Sequence, residues 1–279
     1  MQRQGGILSL LLVVAVSAFG QVSSSIFSTG PDGTRGSATF HVPEYLPRAV
    51  VGAPYYGEEV TERVQTLPNG VHITHTDIRQ KTWRDSQGRT RTERPMMMGP
   101  HLPDAPTVVQ ITDPVAGYIY TLDTEKKVAH RVAVQQRPER SPSNSPAVTG
   151  RAGVRTMLRG APASGAEQKS DTQRPEVTNE ALGTKTIDGV AVEGTRITMT
   201  YPTGSQDNDG PFSTIAETWR SKELDLILLS TRDDPRQGIT TQKIANLSTQ
   251  EPDPTLFMLP AGYTIADETG SFSITWGNQ

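Results

Sequence analysis

The segment VTERVQTLPNGVHITHTDIRQKTWR, residues 60–84, decides the fold. It places alternating, β-prone side chains on both sides of Asn69-Gly70. Asn-Gly between two such runs is the strongest short-range hairpin signal, because the tight turn needs positive φ angles. A second turn ends at Gly88, before another short run at residues 89–94. The sequence therefore predicts antiparallel strands joined by tight turns.

The same pattern continues along most of the chain. Runs of β-prone residues recur between turn signals, and no stretch shows a long period of 3.6 residues. The further runs cover residues 107–112, 118–122, 128–134, 184–187, 190–201, 212–220, 226–232 and 238–248. We therefore predict a mainly β protein: a curved antiparallel sheet or half-barrel of many strands, with few short helices and a disordered insertion.

Composition divides the 279 residues into segments. Only 34% are hydrophobic and 6% aromatic, so part of the chain is loop. Residues 21–52 are rich in Ser, Gly and Pro, which predicts a flexible N-terminal arm. Residues 137–180 are dense in Pro, Ser, Gly and Gln, which bury too little apolar area to offset chain entropy, and we predict that this insertion is disordered. It separates two halves of one β-domain, residues 53–136 and 181–279.

Residues 1–20 have the layout of a secretory signal peptide. One cation, Arg3, precedes an uncharged apolar run at residues 7–16, and the small residues Ala18 and Gly20 stand where signal peptidase reads. The run is shorter than the roughly 20 apolar residues of a membrane span, which disfavours the alternative of an uncleaved anchor, and no span is predicted downstream. We expect an exported protein, periplasmic or extracellular, whose mature chain begins at Gln21.

Composition and motifs exclude several kinds of site. The chain has no cysteine, and therefore no disulfide or catalytic thiol, and its formal charge of −3 does not suggest nucleic-acid binding.

His72 and His75 lie three apart on a predicted strand and so point to opposite faces. Residues 96–98, three methionines near His101, offer Cu(I) ligands but are more typical of a loop. No metal site and no cofactor is predicted. Hydrolase, metalloprotease and nucleotide-loop motifs are absent, so we expect a protein that is not an enzyme and name no catalytic residue.

A basic stretch occupies the second and third predicted strands. Arg84, Arg89 and Arg91 are its candidate binding residues, and Arg89 and Arg91 share one strand face. Such a face suits anionic lipid headgroups or cell-wall polymers. The alternative is a solvated outer face, because Asp85 and Glu93 are interspersed among the arginines.

The C-terminal half resembles exported proteins related to the outer-membrane lipoprotein carriers. The resemblance covers about residues 180–265, and its motifs are Leu182-Gly183, Asp188-Gly189, Glu217-Thr218-Trp219 and the run DPTLFMLPAGY at residues 253–263. It implies a strongly curved half-barrel with an apolar cradle and the handling of lipid. The chain departs from this pattern because it has few aromatic residues and no amphipathic helices to cover the cradle.

Three hypotheses follow. The first is an envelope protein of lipoprotein-carrier-like fold that binds a lipid, a lipoprotein or another envelope protein, and it predicts an apolar concave surface. The second is a structural or interaction module, which predicts a filled interior and an exposed edge strand. The third is an undetected hydrolase, which requires titratable groups converging in a cleft. The oligomeric state is not predicted.

Overall fold

The computed structural model describes residues 22–30, 33–95, 107–135 and 174–277. Twelve of its strands form one large, open, curved sheet, and three form a small second sheet. The prediction of a mainly β fold with a curved sheet of many strands is confirmed. In chain order the strands are β1 (Val22–Gly30), β2 (Gly33–Phe40), β3 (Tyr55–Thr66), β4 (His72–Arg84), β5 (Thr90–Pro95), β6 (Thr107–Asp113), β7 (Tyr118–Asp123), β8 (Val128–Ala133), β9 (Glu176–Ile187), β10 (Val190–Tyr201), β11 (Phe212–Ser221), β12 (Leu226–Asp234), β13 (Gly238–Ser248), β14 (Thr264–Glu268) and β15 (Phe272–Trp276).

The large sheet consists of two meanders placed side by side. Strands β3 to β8 form the first and β9 to β13 the second, and each strand pairs antiparallel with the next. The antiparallel pair β3–β13 joins the two meanders, so the full order is β14-β8-β7-β6-β5-β4-β3-β13-β12-β11-β10-β9. Only β14 is parallel to its neighbour, β8. Both groups of predicted strands therefore belong to one sheet, because hairpins fix the local order and one long-range pair joins them.

The small sheet has the order β1-β2-β15 and covers one face of the first meander. Its residues Ala38, Phe40, Ile274 and Trp276 form a buried cluster with Val108 of β6. Phe272 stacks on Phe40 with 5.3 Å between ring centroids. The small sheet thus supplies an apolar layer for side chains that would otherwise face water.

The opposite face of the first meander is covered by a short 3-10 helix, Pro254–Phe257. Asp253 caps its N-terminus by accepting a hydrogen bond from the Thr255 backbone N–H at 2.9 Å, and Pro254 occupies the first turn, where its missing N–H costs nothing. Phe257 is 5% exposed and contacts the cluster that contains Ile111 and Leu122. The strand period of two thus divides the apolar side chains of β6 to β8 between two buried layers.

The structure differs from the sequence prediction at the two low-complexity segments. Strands β1 and β2 lie within residues 21–52, where we predicted a flexible arm, because β2 gains a partner in β15 from the far end of the chain. Strand β9 begins at Glu176, inside the predicted insertion, because β10 pairs with it. The rest of that insertion, the signal peptide and the methionine triplet lie outside the described residues.

The turn between β12 and β13 contains an ion pair between a buried carboxylate and an exposed guanidinium. Asp234 is 1% exposed, and its two carboxylate oxygens accept hydrogen bonds from the Nε and Nη2 atoms of Arg236, both at 2.9 Å. These bonds, opposed by burial, lower the pKa of Asp234 to about 2. The Arg236 guanidinium also lies over the Phe212 ring, 4.9 Å from its centroid, so the pair ties this turn to the end of β11.

Replacing Asp234 with asparagine should therefore lower the free energy of unfolding by roughly 1–2 kcal/mol near pH 7. Because the pKa of Asp234 is lower in the folded than in the unfolded protein, its ionised carboxylate stabilises the fold fully above about pH 4. This stabilisation is lost as the pH falls towards about 2. The difference in free energy of unfolding between the original protein and the Asp234→Asn variant should therefore shrink over that range. Urea denaturation at several pH values measures it. Asp233→Asn is the control, because the neighbouring carboxylate is exposed and has no ion pair within the described structure. A difference that persists unchanged at pH 2 would contradict this account.

Candidate ligand-binding site

Strands β12 and β13 of the second meander separate at one end of their ladder. β12 and β13 pair from Asp234 and Gly238 as far as Leu229 and Lys243 and no further. Beyond that point β12 stays with β11 and β13 stays with β3, so the strands diverge. An extra residue in β12, between the partners of Trp219 and Arg220, marks a β-bulge there, and bulges bend and twist a strand. The divergence opens a cavity of about 450 Å³.

Apolar side chains form the floor of this cavity. Leu228 of β12 is 1% exposed, and Ile187 and Ile244 pack against the same buried cluster and also line the cavity. Trp219 joins the cluster and lies against Gly194 of β10, where an added Cβ atom would come within 2.6 Å of the ring. Gly194 therefore allows the indole to lie close against the backbone of β10.

Two lysine side chains lie at the rim of the cavity. Lys185 of β9 and Lys243 of β13 both line it, and no carboxylate among the described residues lies within 4.0 Å of either ammonium group. The Lys185 ammonium lies 3.7 Å from the centroid of the Trp219 ring, a cation–π contact that holds it over the apolar floor. Asp188, in the turn after β9, also lines the cavity and is the acidic residue of its rim. The cavity therefore combines an apolar floor with two ammonium groups that have no counter-ion among the described residues.

Arg84, one of the three candidate residues of the basic patch, bridges the two meanders. It is 6% exposed and donates hydrogen bonds from Nε to the Ala53 carbonyl oxygen at 2.8 Å and from Nη2 to the Leu224 carbonyl oxygen at 2.6 Å. Its guanidinium also lies over the Tyr55 ring, 4.6 Å from the centroid. Burial lowers the pKa of Arg84 and raises that of Tyr55. Arg84 therefore faces the interior rather than a ligand outside.

Arg89 and Arg91 share a face, as predicted, and both contact the segment of the 3-10 helix. Arg89 Nε donates to Asp85 at 2.6 Å, and its guanidinium lies over the Phe257 ring. Arg91 donates to Glu93 at 2.9 and 2.6 Å and to the Leu256 carbonyl oxygen at 3.1 Å. Ligand binding by the three arginines stays a prediction, and the geometry gives each guanidinium partners inside the protein.

His72 and His75 were considered as a pair of metal ligands in the sequence analysis. His72 and His75 pair with Thr66 and Arg63 on one continuous ladder, so they lie on opposite faces of the sheet. No group of three or more His, Asp or Glu side chains in the described ranges is placed to hold a metal ion. Among those same residues there is also no helix with the length and apolar character needed to cross a membrane.

Lys185 and Lys243 were missed by the sequence analysis. They lie on strands of different hairpins, and each looks like an ordinary solvated residue of a β-strand. The period of two assigns each lysine a face, but it does not reveal that the ladder between β12 and β13 stops at Lys243. The one local signal was the run LDLILL at residues 224–229, which is too apolar for a strand with one solvated face.

Comparison with protein-family models and with curated proteins finds no match. Solved structures similar to this chain include a conserved protein from Thermus thermophilus, with 8% identity and a TM-score of 0.33 over 78% of this chain and 91% of that one. A LolA superfamily protein from Nitrosomonas europaea has 9% identity and a TM-score of 0.24 over 77% and 92%. An outer membrane lipoprotein-sorting protein domain from Vibrio parahaemolyticus has 8% identity and a TM-score of 0.24 over 74% and 89%. The structural neighbours of this chain thus include LolA superfamily and lipoprotein-sorting proteins, at low sequence identity.

Proposed function

We propose that this protein is exported and binds an anionic amphiphile, such as a single-chain lipid with an acidic headgroup, in the cavity between β12 and β13. The observation that carries the proposal is the placement of Lys185 and Lys243, without counter-ions among the described residues, on the rim of an apolar cavity. An acidic headgroup supplies the missing charge, and a hydrocarbon chain covers the floor formed by Leu228 and Ile244. Export rests on the signal-like residues 1–20.

The two parts of the site contribute differently to binding. Apolar contact contributes about 25 cal/mol for each Å² removed from water, and the floor contributes to the affinity in this way. The ammonium groups are exposed and each contributes modestly, but they favour an acidic headgroup over a neutral one. The carboxylate of Asp188 opposes them, which sets a limit to the affinity for anions. The site therefore selects for charge and for an apolar tail together.

An interaction module is the second candidate function. Both faces of β6 to β8 are covered, by the small sheet on one side and by the 3-10 helix on the other, so no apolar cradle is open at these strands among the described residues. Strand β9 is the edge strand of the large sheet on the side of the second meander, and such an edge suits pairing with another chain.

Changing Lys243 to glutamate should weaken the binding of myristate roughly three- to tenfold, because it replaces attraction to the carboxylate by repulsion. The binding of dodecyl maltoside, which has no charge, should stay the same. Isothermal titration calorimetry below the micellar concentration measures both. The matched control is Lys127→Glu, the same change of charge at an exposed lysine in the turn between β7 and β8.

The proposal fails if the unchanged protein binds neither myristate nor dodecyl maltoside, or if Lys127→Glu weakens myristate binding as much as Lys243→Glu. Native mass spectrometry of the protein purified from a bacterial periplasm gives an independent test. Extra mass that dissociates as lipid supports the proposal, and an N-terminus at Gln21 supports export. A bare polypeptide mass that stays bare after incubation with lipid extract favours the interaction module.

A further inference from the structure

The rim of the cavity carries three charged side chains that do not neutralise one another. Lys185 and Lys243 are its cations, and Asp188 is its anion. All three residues are exposed, and neither ammonium group lies within 4.0 Å of the Asp188 carboxylate. Among the described residues, that carboxylate makes no other ion pair either. A ligand in the cavity therefore meets two positive charges and one negative charge, all without counter-ions in the described structure.

The three charges come from two parts of the sheet. Lys185 belongs to β9, and Asp188 and Gly189 form the tight turn that leads from β9 to β10. Lys243 belongs to β13, across the cavity from that hairpin. The Trp219 ring, 3.7 Å from the Lys185 ammonium, fixes this charge over the apolar floor. A headgroup in the cavity can therefore contact lysines from both parts, and a group nearer the hairpin turn meets the carboxylate.

A simple anion uses only part of this arrangement. It is attracted by the two ammonium groups of Lys185 and Lys243, but it is repelled by the carboxylate of Asp188. A headgroup that carries both an anionic phosphate and a cationic ammonium meets an opposite charge at each position. Complementary charges of this kind contribute specificity more than raw affinity.

We propose that the cavity takes a single-chain phospholipid with a zwitterionic headgroup, in which a phosphate diester is followed by a primary ammonium, as in lysophosphatidylethanolamine. The phosphate lies between Lys185 and Lys243, and the ammonium group donates hydrogen bonds to the Asp188 carboxylate. This inference rests on the proposed function, and it names the headgroup that the site selects.

The backbone of the turn does not require the negative charge of Asp188. Asp188 has a φ of 47° and Gly189 a φ of 81°. Asn-Gly suits such a two-residue turn as well as Asp-Gly does, because asparagine also tolerates positive φ. Asp188→Asn should therefore remove the charge and leave the hairpin intact, which makes it a clean probe of the headgroup contact.

Two lipids with the same myristoyl chain and the same phosphate diester test the proposal. Lysophosphatidylethanolamine carries an ammonium group beyond the phosphate, and lysophosphatidylglycerol carries hydroxyl groups there. Isothermal titration calorimetry below the micellar concentration should show roughly threefold tighter binding of the ethanolamine lipid, the effect expected of an exposed ion pair. Asp188→Asn should remove this preference, because it weakens binding of the ethanolamine lipid and relieves the repulsion of the glycerol lipid.

Asp207→Asn is the matched control. It removes the same charge from an exposed aspartate in the loop between β10 and β11, which does not line the cavity, and the preference should stay unchanged. Equal affinity for the two lipids, or a preference that survives Asp188→Asn, overturns this inference, whereas continued binding of myristate keeps the proposed function. A protein that binds neither lipid nor myristate overturns both.

Discussion

Replacing Arg84 with methionine should lower the free energy of unfolding by about 3–5 kcal/mol. The guanidinium donates to the Ala53 and Leu224 carbonyl oxygens, and both bonds are buried. Methionine fills much the same volume but donates nothing, so two buried carbonyl groups lose their partners. Each hydrogen bond from a charged donor contributes about 1.5–3 kcal/mol. Because Ala53 precedes β3 and Leu224 precedes β12, the loss also loosens the connection between the two meanders.

Urea denaturation followed by circular dichroism measures this effect, with Arg63→Met as the control. Arg63 is an exposed residue of β3 and has no ion pair in the described part of the chain, so its substitution should change the free energy of unfolding by less than about 0.5 kcal/mol. Equal, small effects at both positions would show that Arg84 does not connect the meanders.

Gly238→Ala should be about as costly, at roughly 3 kcal/mol or more. Gly238 opens β13 with a φ of 85°, a left-handed conformation that L-residues rarely adopt. An added Cβ atom would also lie 2.2 Å from the Val64 carbonyl oxygen, which belongs to the backbone and has little freedom to move. The clash falls where β13 pairs with β3, the one ladder that joins the two meanders in the described structure.

Gly70→Ala separates the two causes. Gly70 has nearly the same φ, 82°, but an added Cβ atom would meet nothing within 4 Å. Its substitution should therefore cost only the conformational strain, about 1 kcal/mol. The difference between the two variants in thermal or urea denaturation is the contribution of the close contact with β3. If both variants lose the same stability, the contact relaxes without cost.

The sequence predicted the parts of the fold that depend only on residues close together in the chain. Hairpins such as the one around Asn69-Gly70 need only a turn and two alternating runs, so the strands of both meanders could be predicted. The small sheet could not, because β2 acquires β15 as a partner across most of the chain. A Ser- and Gly-rich strand has too few apolar residues to be recognised alone, and it becomes stable only when its partner supplies them.

The candidate site was hidden for a related reason. Alternation along a strand tells which residues share a face, but it does not tell where a ladder ends. The cavity exists because pairing stops at Leu229 and Lys243, and no turn signal marks that position. Arg84 illustrates the converse case, since a cation on a predicted surface strand was assigned to a binding patch. Its partners, the Ala53 and Leu224 carbonyl oxygens, are backbone groups that no residue pattern reveals.

The position of β15 has a consequence for the order in which the protein folds. Its pairing with β2 joins the two ends of the described chain, as in the hydrogen bond of 3.0 Å between the Thr39 and Ser273 hydroxyl groups. During synthesis, β2 is made long before its partner, and the buried cluster around Phe40 and Trp276 stays incomplete until residues 272–276 follow. The small sheet is thus completed only after both meanders have been synthesised, and in that interval its apolar residues are exposed to solvent or to a chaperone.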